Sequence, residues 1–577
     1  MRIVFLTLVV LFSQLSLSIA EDSPILRLSI INEYNESPLI RDSLRYTLSD
    51  GRGFSINRVS YLISGIALQT IHGNWLEADS VGFFDAAKGK SSMDFPFPRG
   101  SYRAIRFKIG LPPEVNHSDP SQYPKGHPLN PENNLHWTWA TGYVFIALEG
   151  RYTEQDGKIG GYVYHLANDG NDISITVPLS FTHSEHSLVE LSLDLKNAFQ
   201  HPLPISFQEH GHSSHSRPND EIVKRLRENL THSFLVRRVD EFRPKLEGDS
   251  PDPIDMPDSY VPYEFTISRN FPLPELPTNN PLIEERVALG EAIFFDPLLS
   301  KDKTISCVGC HSPSNAFSDT SVKSDGVGNV KTRRHSMPLF NLAWKDSFLW
   351  DGRATSLREQ VFHPITSQEE MGNTVEEVIR RLESSPQYRD LFNKAFNPGK
   401  ITKERIGLAL ENYLLTLISD DSRFDRSLAG KVELTDEEKR GFELFMTEYE
   451  PRTGQFGADC FHCHGGALFT DNGFHNNGLT PSSDLGRHEF SNLDTDRFKF
   501  ATPSLRNVGI TAPYMHDGSI ATLSEVVAHY NSGIHPSETL NPNLAKHPKD
   551  GIQLSSEDQR ALVAFLEALT DPQYLDN

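Results

Sequence analysis

Cysteine occurs four times in the 577 residues, always in the same setting: Cys307-Val308-Gly309-Cys310-His311 and Cys460-Phe461-His462-Cys463-His464. None is left over for another purpose. A Cys-x-x-Cys-His segment is the covalent attachment sequence of a c-type haem, with two thioether sulfurs and then a His whose imidazole becomes the proximal iron ligand. The spacing has a physical reason, because one short helical turn presents both sulfurs to the vinyl edge and aims the next side chain at the iron. Other uses of paired cysteines fit less well. A zinc ribbon keeps its pairs within ~15–20 residues of each other, far closer than Cys310 and Cys460. Two local disulfides in an exported protein leave unexplained why His follows both pairs. The sequence therefore specifies two covalently bound c-type haems, held by Cys307, Cys310 and His311 and by Cys460, Cys463 and His464.

Haems so far apart need two scaffolds, and the apolar pattern of the second half supplies them. Thr374 with Glu377 has the pattern of a capping box ahead of Val375, Val378, Ile379 and Leu382, and Thr435 with Glu438 repeats it ahead of Phe442 and Phe445. Ile406, Leu410, Leu414 and Leu417 make a further helical face, and a closing helix is expected from Glu557 to Leu569. The region 272–577 is thus expected to be mainly α, as two cytochrome-c-like lobes at about 272–425 and 426–577.

Upstream the period is two. Ile105, Phe107 and Ile109, then Ile173, Ile175 and Val177, then Val189, Leu191, Leu193 and Leu195 alternate with polar residues, which predicts half-buried antiparallel strands of an all-β, sandwich-like domain. A polar, His-rich run from His210 to His215 is either a source of copper-binding imidazoles or a flexible tail, and one helix from Asp220 to Phe234 completes a domain over 24–237. The Pro- and Asp-rich residues that follow, 238–271, read as an inter-domain linker.

Residues 1–20 carry Arg2, an apolar run from Ile3 to Phe12, and Ser18 and Ala20 ahead of Glu21. This is the pattern of a cleaved export signal, and the run is shorter than the ~20 residues a bilayer requires. No later stretch is as apolar, so the mature chain is expected to be exported, without a transmembrane segment, and periplasmic. The remaining composition is globular, with 37% hydrophobic residues. A net charge of −22, from 55 Lys+Arg against 77 Asp+Glu, argues against a nucleic-acid partner, which needs clustered cations.

From about Pro272 to Leu569 the sequence resembles the bacterial di-haem cytochrome c peroxidase and MauG family. The resemblance is carried by Leu289-Gly290 through Phe294-Phe295-Asp296-Pro297, Ile305-Ser306-Cys307, Trp350-Asp351-Gly352-Arg353, Pro503-Ser504-Leu505-Arg506-Asn507 and Pro513-Tyr514-Met515-His516-Asp517-Gly518. In that family the first haem meets hydrogen peroxide and the second stores or relays electrons. The resemblance implies that Trp350 is the aromatic relay between the haems, and that Gln360 and Glu370 are the distal groups of the peroxide-binding haem. A carboxylate there suits the chemistry, because O–O heterolysis needs a proton moved from the near oxygen to the leaving one. Fourteen residues after His516, where ordinary peroxidases of the family carry the methionine ligand of the second haem, stands Tyr530, as in MauG-type enzymes. A phenolate is a more electron-rich donor than a thioether and stabilises high-valent iron; His529 is the rival ligand. No His lies between Gly326 and Arg334, where many peroxidases place a blocking histidine, so the first haem is expected to be open. The resemblance also implies an inter-haem calcium bound through the backbone of Thr511 and Pro513, although His335 stands where the family has asparagine.

In the β domain, Trp137-Thr138-Trp139-Ala140-Thr141-Gly142-Tyr143, followed by Glu149-Gly150 and Tyr164-His165-Leu166, resembles the MbnP-like copper-binding proteins. In that family a tryptophan is oxidised to kynurenine by a partner di-haem enzyme, MbnH, and then helps bind copper. Imidazoles suit copper, and this domain contains His117, His127, His136, His165, His212 and His215. Trp137, Trp139, His136 and His165 are the candidates for a copper site or modified residue. Trp137 and Trp139 are two apart on an expected strand and share a face, so spacing does not decide between them.

The two resemblances together imply a peroxidase-like oxidoreductase that uses hydrogen peroxide, via high-valent haem iron, to oxidise a tryptophan of its own β domain, or of a homologous copper-binding protein. Two alternatives remain. One is peroxide reduction with electrons from a small soluble cytochrome or cupredoxin. The other is a non-enzymatic copper-binding and electron-transfer protein with two six-coordinate haems.

Overall fold

In the computed structural model the described residues are 24–137, 142–216, 219–241, 255–268, 271–274, 276–451, 454–548 and 551–575. The expected export signal and Trp139 lie outside them, and of Trp137 only the backbone is described. The period-two runs become the strands expected of them. Strand Gly100–Ile109 pairs antiparallel with strand Ile173–His183, placing Ile105 across from Val177, Phe107 from Ile175 and Ile109 from Ile173, all six buried. These two continue into a large curled sheet through Arg58–Thr70, Gly142–Thr153, Ile159–Ala167 and the short strand Ser213–Ser214. A second sheet is built on Phe234–Glu241, His186–Asp194 and Ile25–Tyr34. Both sheets and the helix Glu221–Thr231, capped by Asp220, enclose one apolar core running from Leu26 to Phe234.

Three expectations are corrected here. Strand His186–Asp194, which holds Val189, Leu191 and Leu193, is antiparallel to Phe234–Glu241 but parallel to Ile25–Tyr34. A parallel pair needs a long crossover, and the whole intervening part of the domain provides it. Within the run His210–His215, Ser213–Ser214 pairs with Val163 and Tyr164, so this segment is sheet edge rather than tail. The β domain also outruns its expected end at 237, because Phe234–Glu241 pairs along its length with His186–Asp194.

Residues 255–268 and 271–274, expected in large part as linker, lie as a strap along the helical half. Asp255 pairs with Arg405 at 2.7 Å, Arg286 donates to the Asp255 carbonyl, Phe271 is buried beneath Arg506, and the Trp344 indole donates to the Pro272 carbonyl at 2.8 Å. Proline-rich composition here reflects an extended path over a surface, not freedom from it.

The helical half repeats one device in two lobes. Helix Glu284–Phe295 crosses helix Lys403–Leu415 at Gly290, where an added Cβ would lie 2.8 Å from the Ala409 carbonyl carbon. Helix Asp436–Met446 crosses helix Ser556–Glu567 at Gly441, where a Cβ would lie 2.6 Å from the Ala561 carbonyl carbon. Each glycine lets two helix backbones touch, which fixes the frame on which each haem segment hangs. Thr435 and Glu438 form a reciprocal capping box, whereas Glu377 spends its carboxylate on Arg380 and Arg381 and leaves only the Thr374 half. A buried bidentate pair, Arg506 to Asp425 at 2.7 and 2.9 Å, locks helix Arg423–Leu428 onto the second lobe.

The β domain docks on this frame. Lys125 pairs with Asp346, Lys499 lies 3.5 Å from Asp42, and Asn543 donates to Glu149. Gly161 meets the backbone of helix Pro542–Ala545, with a Cβ placed there 2.8 Å from the Pro542 carbonyl carbon. Among the described residues no helix is long and apolar enough to cross a membrane.

Candidate active site

The first attachment segment is one tight turn. The N–H groups of Cys310 and His311 both donate to the Cys307 carbonyl, at 3.2 and 3.0 Å. His311 Nδ1 donates to the Phe317 carbonyl at 2.9 Å, which fixes the tautomer that leaves Nε2 as the ligand nitrogen. Cys307, Cys310 and His311 line one side of a cavity of about 330 Å³ whose walls include Leu342, Phe348, Leu410 and Leu414. Paired sulfurs, an oriented imidazole and apolar walls fit a haem. Trp350, Gln360 and Glu370 line the same cavity, so the three residues that the resemblance singles out are brought together.

Trp350 sits between the lobes. Its indole donates to the His335 carbonyl at 2.8 Å, and its own carbonyl accepts from Ala501 of the second lobe at 2.7 Å. Gln360 ends the turn Leu357–Gln360. Burial pushes the Glu370 carboxyl above the ordinary carboxylate range, against the opposing effects of a hydrogen bond from Ser367 and the charge of Arg353. The backbone of Glu370 is held on both sides: its N–H donates to Ser367, and its carbonyl accepts from Val327 at 2.7 Å. Loop 326–330 thus rests on the Glu370 turn, and Gly326 makes the approach possible, since a Cβ there would lie 2.7 Å from the Glu369 carbonyl carbon.

The second segment repeats the first. Cys463 and His464 donate to the Cys460 carbonyl at 3.3 and 2.9 Å, and His464 Nδ1 donates to the Phe469 carbonyl at 3.2 Å. Helix Leu523–Ser532 carries both candidate sixth ligands. His529 Nε2 hydrogen-bonds the Asn477 carbonyl at 3.0 Å, whereas Tyr530 Oη lies 3.4 Å from Asn477 Nδ2. The imidazole is engaged with the main chain, and the phenol shares its electrostatic surroundings with Cys460 and Cys463. Burial pushes the Tyr530 phenol up to about 12, so the phenolate form needs a cationic partner such as iron. Asn477 Nδ2 also lies 3.3 Å from Met515 Sδ. Neither Asn477 nor Met515 stands out in the sequence as a neighbour of Tyr530; only the fold brings them there.

His335 lies at the lobe junction, where its N–H donates to the His516 carbonyl and its Nδ1 meets the Ser321 carbonyl at 3.1 Å. Its side chain offers nitrogen, not the oxygen that calcium takes, while Thr511 and Pro513 flank the turn before His516.

In the β domain His136 packs edge-on against Tyr143, and burial pushes it down to about 4. His165 is buried and hydrogen-bonds Glu149 at 2.9 Å. The two do not share a cluster: His136 pairs with Tyr143 and His165 with Ala147 of the same strand, four residues or roughly 13 Å apart. The stretch leading to Trp137 reaches the second haem segment directly. Asn134 Nδ2 donates to the Asp471 carbonyl at 3.0 Å, and Asp471 N–H donates to the Cys463 carbonyl at 2.8 Å. Arg58 fastens this loop from within, donating to the Asn134 carbonyl and to Glu149.

Comparison with known proteins follows the same division. A family model described as di-haem cytochrome c peroxidase matches residues 284–433, and one described as MbnP matches residues 23–216. The methylamine utilization protein MauG of Methylorubrum extorquens is 40% identical over 297 residues, 51% of this chain and 80% of that protein. The cytochrome c551 peroxidase of Pseudomonas aeruginosa is 34% identical over 316 residues, 52% of this chain and 84% of that protein. Among solved structures, a MauG-like protein associated with microbial copper homeostasis aligns with 30% identity and a TM-score of 0.49, covering 55% of this chain and 97% of that one. With two attachment turns, two matching lobes and relatives covered over most of their length, the chain belongs to the di-haem cytochrome c peroxidase and MauG family, as a di-haem peroxidase-type oxidoreductase carrying an N-terminal MbnP domain.

Proposed function

We propose that the protein uses hydrogen peroxide at the His311 site to oxidise a tryptophan of its own MbnP domain, Trp137 or Trp139, to kynurenine, and so creates a copper-binding site. The observation that carries this reading is the bond from Asn134 to Asp471, which fastens the chain three residues before Trp137 to the segment that follows Cys463. Enzyme and substrate in one chain meet at high effective concentration.

The haems, when bound, supply the oxidising power of peroxide. Glu370 accepts a proton from the near peroxide oxygen and delivers it to the far one, which leaves as water, and Gln360 orients the peroxide from the same wall. Trp350, tied to both lobes, carries electrons between the two sites. Tyr530, beside Asn477, would offer its phenol oxygen to the second haem. Two peroxides per tryptophan give the two oxygen atoms of N-formylkynurenine and release two waters; hydrolysis then releases formate. Residues 1–20 fit an export signal, and a periplasmic site of action suits covalent haem attachment. Calcium between the lobes belongs to this reading only through the backbones of Thr511 and Pro513.

The test is tandem mass spectrometry of the peptide holding Trp137 and Trp139, from protein matured with both haems. Kynurenine in the wild type and intact tryptophan in Tyr530→Phe is the expected result. Tryptophan that survives added peroxide in the wild type overturns the reading in favour of peroxide reduction served by a small soluble cytochrome or cupredoxin.

A further inference from the structure

Where the two domains meet, three imidazoles converge from segments distant in sequence. His165 comes from strand Ile159–Ala167, His215 directly follows strand Ser213–Ser214, and His462 lies in the turn between Cys460 and Cys463. Their ring centroids are 4.9 Å apart for His165 and His215, and 5.8 Å apart for each of these with His462. Glu448, from the second lobe, places Oε2 3.1 Å from His215 Nε2 and 2.9 Å from His462 Nε2. Donor atoms of His215, Glu448 and His462 all lie within 4.8 Å of one another.

The donor-atom separations of His215, Glu448 and His462 match a coordination shell, and the His165 ring stands beside them. Tetrahedral ligands at about 2.0–2.1 Å from an ion stand roughly 3.3 Å from one another, and imidazole centroids, about 1.1 Å behind their donor nitrogens, roughly 5.2 Å apart. The surroundings are arranged as metal sites require. Glu448 Oε1 is taken by the Lys546 ammonium, which also reaches Asp459 at 3.1 Å, so Oε2 is the oxygen turned to the imidazoles. His165 is braced through Nε2 by Glu149, itself held by Arg58, in the carboxylate–histidine arrangement that orients ligating imidazoles. Lys546 reaches both Glu448 and Asp459, and His547 Nε2 lies 2.6 Å from Asp459, so the acidic pair is held in place while Glu448 Oε2 stays turned to His215 and His462. His462 was hidden in the sequence as a spacer between two haem cysteines.

We propose that His215, His462 and Glu448, with His165 as the fourth donor, form an inter-domain site for one divalent transition-metal ion of the imidazole-binding class, Cu(II) or Zn(II). The site draws donors from both domains and requires no modified tryptophan, so it stands apart from the copper site of the proposed function. It ties the MbnP domain to the turn that carries the second haem.

The test uses the full-length protein with both haems, stripped with a chelator and titrated separately with zinc chloride and copper(II) chloride. Retained metal is counted by mass spectrometry after gel filtration. Without peroxide, the wild type is expected to retain one equivalent, and His215→Gln to bind at least about tenfold more weakly. The Trp137→Phe/Trp139→Phe double variant is expected to bind as the wild type, and the copper form to give an electron paramagnetic resonance signal split by imidazole nitrogens. Haem content and circular dichroism establish that His215→Gln is folded; if it is not, His165→Gln takes its place with the same expected loss. No retention by the wild type, or wild-type affinity in the folded variant, overturns the proposal. So does metal lost from the double tryptophan variant but kept by His215→Gln, which would assign the ion to the tryptophan-derived site.

Discussion

Replacing Gly326 by alanine tests whether the loop resting on Glu370 sets the peroxide chemistry. The backbone at Gly326 is extended, with φ −86° and ψ −178°, so alanine meets no conformational penalty and the effect is purely steric. The new Cβ would press first on the Glu369 carbonyl oxygen, with the carbonyl carbon behind it at 2.7 Å and the Glu370 carbonyl oxygen at 2.9 Å, so the displacement worked from the carbon is a lower bound. Carbon atoms in contact prefer about 3.5 Å, so loop and turn must part by roughly 0.8 Å. The bond from Val327 to the Glu370 carbonyl, now 2.7 Å, would then stretch to about 3.5 Å and cease to be a hydrogen bond. A displacement approaching 1 Å of a group that must move a proton costs on the order of 100-fold in rate. Stopped-flow measurement of the first haem's reaction with peroxide should show a loss of about 10- to 100-fold in Gly326→Ala, at unchanged haem content. The control is Gly328→Ala in the same loop. That glycine has φ +74° and nothing within 4 Å of an added Cβ, so alanine costs about 1–2 kcal/mol of local strain and leaves the peroxide rate alone. Equal rates for Gly326→Ala and wild type, or equal losses in both variants, would refute the reasoning.

Glu370→Gln should slow the peroxide reaction by about 10²–10⁴-fold. Because burial raises the Glu370 pKa and the carboxylate is the proton acceptor, the wild-type rate should fall as pH drops through a value above the ordinary carboxylate range, and the variant's profile should lose that limb. Asp425→Asn leaves the Arg506 guanidinium buried and unpaired, which should lower stability to denaturant by about 3–5 kcal/mol; Asp425→Leu with Arg506→Met should recover part of it. Asn477→Ala keeps the main-chain acceptor of His529 but removes the amide near Tyr530, so the absorption spectrum of the second haem should change while peroxide still reacts at the first. An unchanged second-haem spectrum would mean that Asn477 does not position the phenol.

What the sequence discloses depends on how locally each feature is determined. The haem turns are legible because thioether attachment needs contiguous residues, and His311 and His464 follow at fixed spacing. The strand faces are legible because alternation is itself the physical cause of a two-sided strand, as the pairing of Phe107 with Ile175 illustrates. Strand direction is not encoded in alternation, which is why Val189 to Leu193 could be assigned to a sheet but not to a parallel partner at the chain's first strand. Composition likewise failed at the strap: prolines around Phe271 mark an extended backbone, but the Trp344 and Arg506 side chains that bind it are far along the chain. Glu448 carried no signal, since its meaning comes only from His215 and His462, which fold beside it from either side in the sequence.

One of the contacts between the halves runs through Asp471. Its N–H holds the Cys463 carbonyl, its carboxylate holds His475 at 2.6 Å, and its carbonyl receives Asn134 from the MbnP domain. Two of these groups are on the backbone, so a side-chain substitution severs the links to His475 and to the Gly473 N–H, which donates to Oδ1 at 2.8 Å, and leaves the domain contact in place. Breaking the domain contact itself requires Asn134, whose amide is the donor and whose carbonyl Arg58 holds in place. The domain contact therefore joins a side-chain donor, Asn134, to a main-chain acceptor, Asp471, and survives side-chain change at Asp471 but not at Asn134. An acceptor on the main chain leaves no motif at Asp471 from which the contact could be read in the sequence.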